Sequence, residues 1–267
     1  MLYLIRYGEI ALKSKPVRAR MESALVRNIS RALKSAGLKA TIKRTFGRLF
    51  VEAPEAAEPL LGRVFGIVSF SPAQTCAATI PAITKTALVR LRHIPFKTFA
   101  VKTRRVGTHP FRSQDVNEQV GEAIRTELKK KVDLSKPDLT VWIEVRDKQA
   151  YLYLEKLPGQ GGFPQGTQGP VACFLNTKND LLAAWLFLKK GCHLILVDPK
   201  PEFAAVLESW AFRSLSQVST LEDAVKKGAL GIVTSRFVTH ELPVYDPLLG
   251  LTSQQITKKL ALVMSVT

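Results

Sequence analysis

The chain has 267 residues, with 39 Lys and Arg against 22 Asp and Glu, a formal net charge of +17 and 46% hydrophobic side chains. That balance excludes disordered and fibrous classes, and the length fits two domains or one with a satellite. The three cysteines, at 76, 173 and 192, form no CxxC pair and no disulfide framework, and there is neither a signal-peptide core nor an apolar run of about 18 residues, so a cytoplasmic chain that does not enter a membrane is expected.

In chain order, Leu2 to Arg6 alternates as a short strand and Tyr7-Gly8-Glu9 turns it. Val17 to Ala36 then reads as an amphipathic helix with Met21, Leu25, Ile29, Ala32, Leu33 and Ala36 on one face, stopped by Gly37. Arg20, Arg27, Arg31 and Lys34 fall in one stripe nearly opposite that face. A solubility surface would mix acids into such a stripe as i, i+4 partners, so the unmixed stripe favours a nucleic-acid contact. Two strands joined through Gly47, a short helix at Ala56 to Arg63 and a strand at Ile67 to Ser71 follow. Strand, helix, hairpin, helix, strand is a ferredoxin-like α+β order, and a first domain of residues 1–76 is expected.

A second unit, residues 77–168, has expected helices at Ile83 to Arg92 and Gln114 to Lys130, a strand at Thr98 to Thr103, and a hairpin of Leu139 to Val145 with Ala150 to Leu154. Arg104, Arg105 and Arg112 bracket a turn that also holds His109 and Phe111; the three arginines are harder to explain structurally than the basic end of the helix, and Phe111 is either an RNA contact or a core residue capping the helix that follows. The segment LPGQGGFPQGTQG, 157–169, is a linker or a binding loop; it lacks the spacing of a P-loop or a dinucleotide fingerprint. Residues 169–267 switch to strand and helix alternation, which predicts a short parallel α/β sheet whose ligand edge would hold the turn after its first strand, Asn176-Thr177-Lys178-Asn179-Asp180. Charge is divided along the same lines. Residues 1–168 carry 29 basic and 14 acidic side chains, whereas residues 169–267 carry 10 and 8. Such an excess points to a polyanionic partner.

RYGEIALKS at 6–14, Asn28-Ile29, Gly47-Arg48, VFGIVSFSP at 64–72, Val132-Asp133-Leu134 with Pro137-Asp138, and GQGGFPQGTQG at 159–169 together resemble the tRNA 4-thiouridine synthetase family, also called the tRNA sulfurtransferases. The resemblance implies an N-terminal ferredoxin-like domain, a THUMP domain and a PP-loop-like α/β domain at 169–267. It also implies tRNA as partner, with the first two domains on the acceptor stem and the THUMP domain on the single-stranded 3′ end. Arg20, Arg27, Arg31, Lys34, Arg104, Arg105, Phe111 and Arg112 are the expected RNA-binding residues.

The family's chemistry needs an SGGxDS loop to hold the phosphates of ATP. This sequence has Asn176, Thr177, Lys178, Asn179, Asp180 and Leu181 at those positions, of which only Asp180 matches, so the loop is expected to be a degenerate remnant. No Cys follows Cys192, where the family's fully active members carry a catalytic one, and Cys76, Cys173 and Cys192 have the setting of inert thiols. His93, His109, His193 and His240 share no metal-ligand spacing. The expectation is a tRNA-binding protein without autonomous sulfurtransferase activity, with no catalytic residue, metal or cofactor and a third domain kept as a partner or dimerisation surface. The alternative is an active thiolation enzyme using ATP and Mg through a modified loop, with sulfur from an external carrier or subunit.

Overall fold

The computed structural model describes residues 1–45, 47–236 and 238–266. The chain opens with β1 (Leu2–Arg6), α1 (Lys15–Ser35), β2 (Thr41–Thr45), β3 (Arg48–Glu52), α2 (Glu58–Arg63) and β4 (Ser69–Ala77). It continues through α3 (Ile80–Leu91), β5 (Thr98–Val106), α4 (Ser113–Glu127), β6 (Lys131–Val132), β7 (Leu139–Arg146), β8 (Gln149–Tyr153) and β9 (Leu157–Pro158). The last stretch alternates β10 (Pro170–Phe174), α5 (Lys178–Lys189), β11 (His193–Val197), α6 (Pro201–Ala211), β12 (Ser216–Val218), α7 (Leu221–Lys226), β13 (Ile232–Val233) and β14 (Val244–Tyr245), and ends on α8 (Ser253–Met264). By contacts the chain divides into two compact units, one of residues 1–4 and 70–157, the other of residues 5–69 and 158–267.

The first unit is built on strands in the order β4-β8-β7-β5-β6. β7 pairs antiparallel with β8 through the Asp147-Lys148 turn and parallel with β5, in register Val101 to Val141 and Thr103 to Ile143. Because strand side chains alternate, Phe99, Val101, Val141, Ile143, Val145, Ala150 and Leu152 share one face, where they meet Ile83, Ala87, Val116, Val120 and Ile124 of α3 and α4 in one core. Lys102, Arg104, Trp142, Glu144, Tyr151 and Tyr153 occupy the opposite face.

In the second unit α1 begins with Pro16 in its first turn and passes to Gly37 at φ +69, a conformation glycine reaches without strain. Met21, Leu25, Ile29, Ala32 and Leu33 are buried, each large aliphatic chain contributing about 1.5 to 3 kcal/mol. Ala36, expected on that face, is exposed, because the helix has ended at Ser35. Glu22 and Asn28 lie on it instead, Glu22 accepting the Tyr7 hydroxyl and Asn28 donating from Nδ2 to the Gln165 carbonyl at 3.2 Å. The five-stranded parallel sheet has the order β12-β11-β10-β13-β14, and its core centres on Trp185, Trp210 and Phe65. Arg63 of α2 reaches the same unit's α6, donating to the Ser209 carbonyl at 2.6 Å with its guanidinium over Trp210.

Two boundaries and two elements differ from expectation for identifiable reasons. The strand expected at 67–71 is β4, which begins at Ser69 and runs on to Ala77 because β8 pairs its far half, Gln74 to Ala77. The helix expected to reach Lys130 ends at Glu127, since Lys129 turns to φ +53 and Lys131 joins β6. β14 and α8 escape the strand and helix count because β14 has two residues and α8 buries one side chain.

Candidate nucleic-acid interface and the loop after β10

α1 presents Arg20, Arg27 and Lys34 exposed and Arg31 half-buried, as the 3.6-residue period dictates. Among the described residues none of the four is in an ion pair, and Arg31 donates to a neutral acceptor, Asn28 Oδ1, at 3.2 Å. The stripe therefore keeps its full positive charge.

The residues expected around the turn of the first unit separate. Arg104 is exposed on the sheet face away from α3 and α4, while Arg105, one residue on, points to the other face and donates to the His109 carbonyl at 3.3 Å. Phe111 packs on the core beside the His109 ring, with centroids 5.6 Å apart. Arg112 caps α4: its backbone N–H donates to Asp115 at 2.7 Å, and its guanidinium pairs with the same carboxylate at 3.0 Å. Its charge is thus spent locally, and the guanidinium holds the Asp115 carboxyl below its ordinary range together with the backbone hydrogen bond, the larger influence. On the Arg104 face lies a feature the sequence reading missed. Trp142 and Tyr153 stack at 6.3 Å with planes 5° apart, and Lys102 and Lys156 lie over the Trp142 ring. The signal was present in the alternation of β5, β7 and β8, once the Asp147-Lys148 turn fixes their register.

The glycine-rich segment is committed to packing. Gly159, Gly161, Phe163, Gly166, Thr167 and Gln168 donate their backbone N–H groups to carbonyls of Val68, Ile67, Lys189 and Gly191 at 2.7 to 3.1 Å. These six amides are occupied and so are not offered to a phosphate.

The structure brings Asn176, Thr177, Lys178 and Asp180 together at the carboxyl end of β10. Thr177 caps α5, with Thr177 Oγ1 accepting from the Asp180 N–H at 3.1 Å and Asp180 Oδ2 accepting from the Thr177 N–H at 3.0 Å. Lys178 is exposed in the first turn. Asp180 is fully buried and spans to the end of β13, where Ser235 donates from Oγ at 2.7 Å and from its N–H at 3.2 Å, and Arg236 at 3.3 Å. Burial pushes this carboxyl up, but the hydrogen bonds from Ser235, Thr177 and Asn176 outweigh it and hold it below the ordinary carboxylate range. Strand order reverses between β10 and β13, the place where open α/β sheets bind ligands. Here Asp180, Ser235 and Arg236 bridge it.

Cys173 and Cys192 are buried and Cys76 half-buried, and burial raises the pKa of all three thiols. No cluster of three or more His, Cys, Asp or Glu suited to a metal occurs among the described residues, and no helix among them is long and apolar enough to cross a membrane.

Residues 2–71 match the family model for the ThiI ferredoxin-like domain and residues 77–155 that for the THUMP domain. A probable tRNA sulfurtransferase of Methanobrevibacter smithii is 40% identical over 202 residues, 72% of this chain and 52% of that protein. One of Methanosarcina acetivorans is 36% identical over 259 residues, 90% of this chain and 59% of that protein. The chain thus spans little more than half the length of these relatives. Among solved structures, PH1313 from Pyrococcus horikoshii is 30% identical with a TM-score of 0.84, covering 96% of this chain and 97% of that one. A 4-thiouridine synthetase crystallised with RNA and ATP is 22% identical with a TM-score of 0.81, covering 98% of this chain and 84% of that one, a likeness of fold.

Proposed function

Since the chain belongs to the THUMP-domain tRNA sulfurtransferase family, we propose that these residues bind tRNA and do not by themselves transfer sulfur. The observation that carries the reading is the α1 stripe, whose Arg20, Arg27, Arg31 and Lys34 are matched by no carboxylate among the described residues. Such a row suits the phosphates of the acceptor stem. In the THUMP domain, Arg104, with Lys102 and Lys156 held at the Trp142 ring on the same face, supplies positive charge for the phosphates of the single-stranded 3′ end. A cytoplasmic site accords with a tRNA partner and three free thiols.

The loop after β10 supports no ATP site of the family's kind. Its glycines are replaced, and the amides of Asn176 and Thr177 already serve the Asp180 carboxylate. We therefore assign the chain no cofactor and no metal.

The test is titration of the protein with tRNA and, separately, with ATP and magnesium. Affinity for tRNA is expected to fall by about 10³ to 10⁵ between 50 and 200 mM salt if six to ten phosphates are engaged. Arg27→Glu with Arg31→Glu is expected to weaken it at every salt concentration. Unchanged affinity in that folded double variant refutes the stripe, and saturable ATP binding favours the active-enzyme reading.

A further inference from the structure

The amino edge of the parallel sheet, opposite the β10 loop, holds cations that are positioned without being neutralised. His193 opens β11 and Ser216 opens β12, and together with Arg213 and Lys227 they line a cavity of about 410 Å³. Arg213 donates to Nδ1 of His193 at 3.4 Å, and Lys227 donates to Ser216 Oγ at 3.2 Å. Both acceptors are neutral, as is the Asn28 amide that orients Arg31. By contrast Arg112, Arg125, Arg146 and Arg236 all bind carboxylates. A cation held by a neutral acceptor loses conformational freedom but keeps its charge for an anion. Of the nearby acids, Glu208 accepts the Leu215 N–H at 2.9 Å and Asp223 pairs with Lys226 at 3.4 Å; Lys227 also acts on the Asp223 carboxyl, as the smallest of the influences on it, without pairing with it.

The arrangement is built into the fold of the second unit. α6 ends on Phe212 in the left-handed region at φ +52, a conformation that a bulky residue rarely adopts, and Arg63 lies over its ring at 5.1 Å. That turn delivers Arg213 to His193, and its Nε is buried with no acceptor among the described residues. A Cβ on Gly166 would stand 3.1 Å from the His193 ring, so the glycine-rich segment closes against the imidazole, and Asn28 ties α1 to the same segment at Gln165. Arg31 of the α1 stripe thereby comes near Arg213. Burial first, then the charges of Arg213 and Arg27, make the Arg31 guanidinium less basic than usual. His193 is likewise held below the ordinary histidine value by burial and then by Arg213, with Arg31 adding to it against a hydrogen bond to Gly166.

We propose that Arg31, Arg213 and Lys227 form a phosphate-binding track for a polynucleotide backbone, carrying the α1 stripe onto the α/β part of the unit. The track rests on the RNA-binding reading above and gives the third domain an RNA contact away from its degenerate nucleotide loop. A polynucleotide suits it better than a lone phosphate because Arg213 and Lys227 line one cavity while Arg31 belongs to the α1 stripe, so the cations extend beyond a single site.

The experiment measures the salt dependence of tRNA binding by the full chain and by Arg213→Gln, Arg213→Lys and Lys227→Gln. Loss of one phosphate contact lowers the log-log salt slope by about 0.7 to 0.9. Each Gln variant is expected to show that drop, and Arg213→Lys to keep most of the slope. Lys227 is exposed, so its variant tests the track even if Arg213→Gln fails to fold. NMR titration of His193 adds a second readout: tRNA is expected to raise its pKa by screening Arg213 and Arg31. Unchanged slopes in folded variants, or a His193 signal moved by millimolar inorganic phosphate and not by tRNA, overturn the track while leaving tRNA binding intact. A wild-type chain that binds no tRNA overturns both.

Discussion

Asp180 joins two stretches of chain that lie 55 residues apart, and the sequence disclosed only half of its role. Its place in the first turn of α5 follows from the Thr177 cap three residues before it, a pattern readable along the chain. Its burial against Ser235 and Arg236 depends on β13 lying beside β10, which no local pattern specifies. Replacing Asp180 by Ala strips a charged acceptor from several buried donors, and a loss of about 2 to 4 kcal/mol is expected in urea unfolding at pH 7. The folded-state pKa lies below the unfolded value near 3.9, so this contribution is complete above about pH 5 and is lost as pH falls through the depressed value. The gap between wild type and Asp180→Ala is thus expected to close on acidification, and a gap independent of pH would refute the charged role. Cys173 offers a second check at this scale. It is fully buried with its thiol pKa pushed up, so a thiol-selective disulfide reagent at pH 8 is expected to leave it unmodified until the protein unfolds.

Among the elements, legibility follows the range of the interactions that set them. α1, α4 and the hairpin of β7 and β8 were legible because their periodicity comes from one buried face. The two-residue strands β6 and β14 were not, since their pairing comes from neighbours distant in sequence, whereas β13 falls within the strand expected at Gly231 to Thr234. The glycine-rich run was readable as irregular and unreadable as to its partners. Gly161 and Gly162 separate these cases, both at positive φ, +64 and +75. A Cβ on Gly161 meets nothing within 4 Å, whereas one on Gly162 would stand 2.3 Å from the Lys189 carbonyl oxygen. Gly161→Ala should therefore cost only its backbone strain, about 1 to 2 kcal/mol. Gly162→Ala should cost about 3 kcal/mol or more, because the end of α5 must also move. Equal midpoints of thermal unfolding for the two variants would mean that the segment is not packed as described.

For the whole chain, charge and chemistry are distributed differently. The basic excess lies in residues 1–168, while the residues that resemble a nucleotide loop lie in the nearly balanced remainder. A chain that bound and activated tRNA would need, at the carboxyl edge of β10, backbone amides able to approach phosphate, and an accessible thiolate to accept and pass on sulfur. The first requirement conflicts with Asp180, which already takes the amides of Asn176 and Thr177 and bridges to Ser235 where the strand order reverses. The second conflicts with three thiols that burial makes less acidic than a free cysteine, so little thiolate forms near neutral pH. Incubated with tRNA, ATP, magnesium and a sulfur source, these 267 residues are expected to bind the tRNA and leave its uridines unthiolated, as read from 4-thiouridine absorbance in the recovered RNA. A thiolated product whose formation stops when Cys76, Cys173 or Cys192 is replaced by Ser would show that the buried thiol opens during turnover. A product lost only with Asp180→Asn, in a variant that still folds, would mean that the bridge to Ser235 gives way to nucleotide.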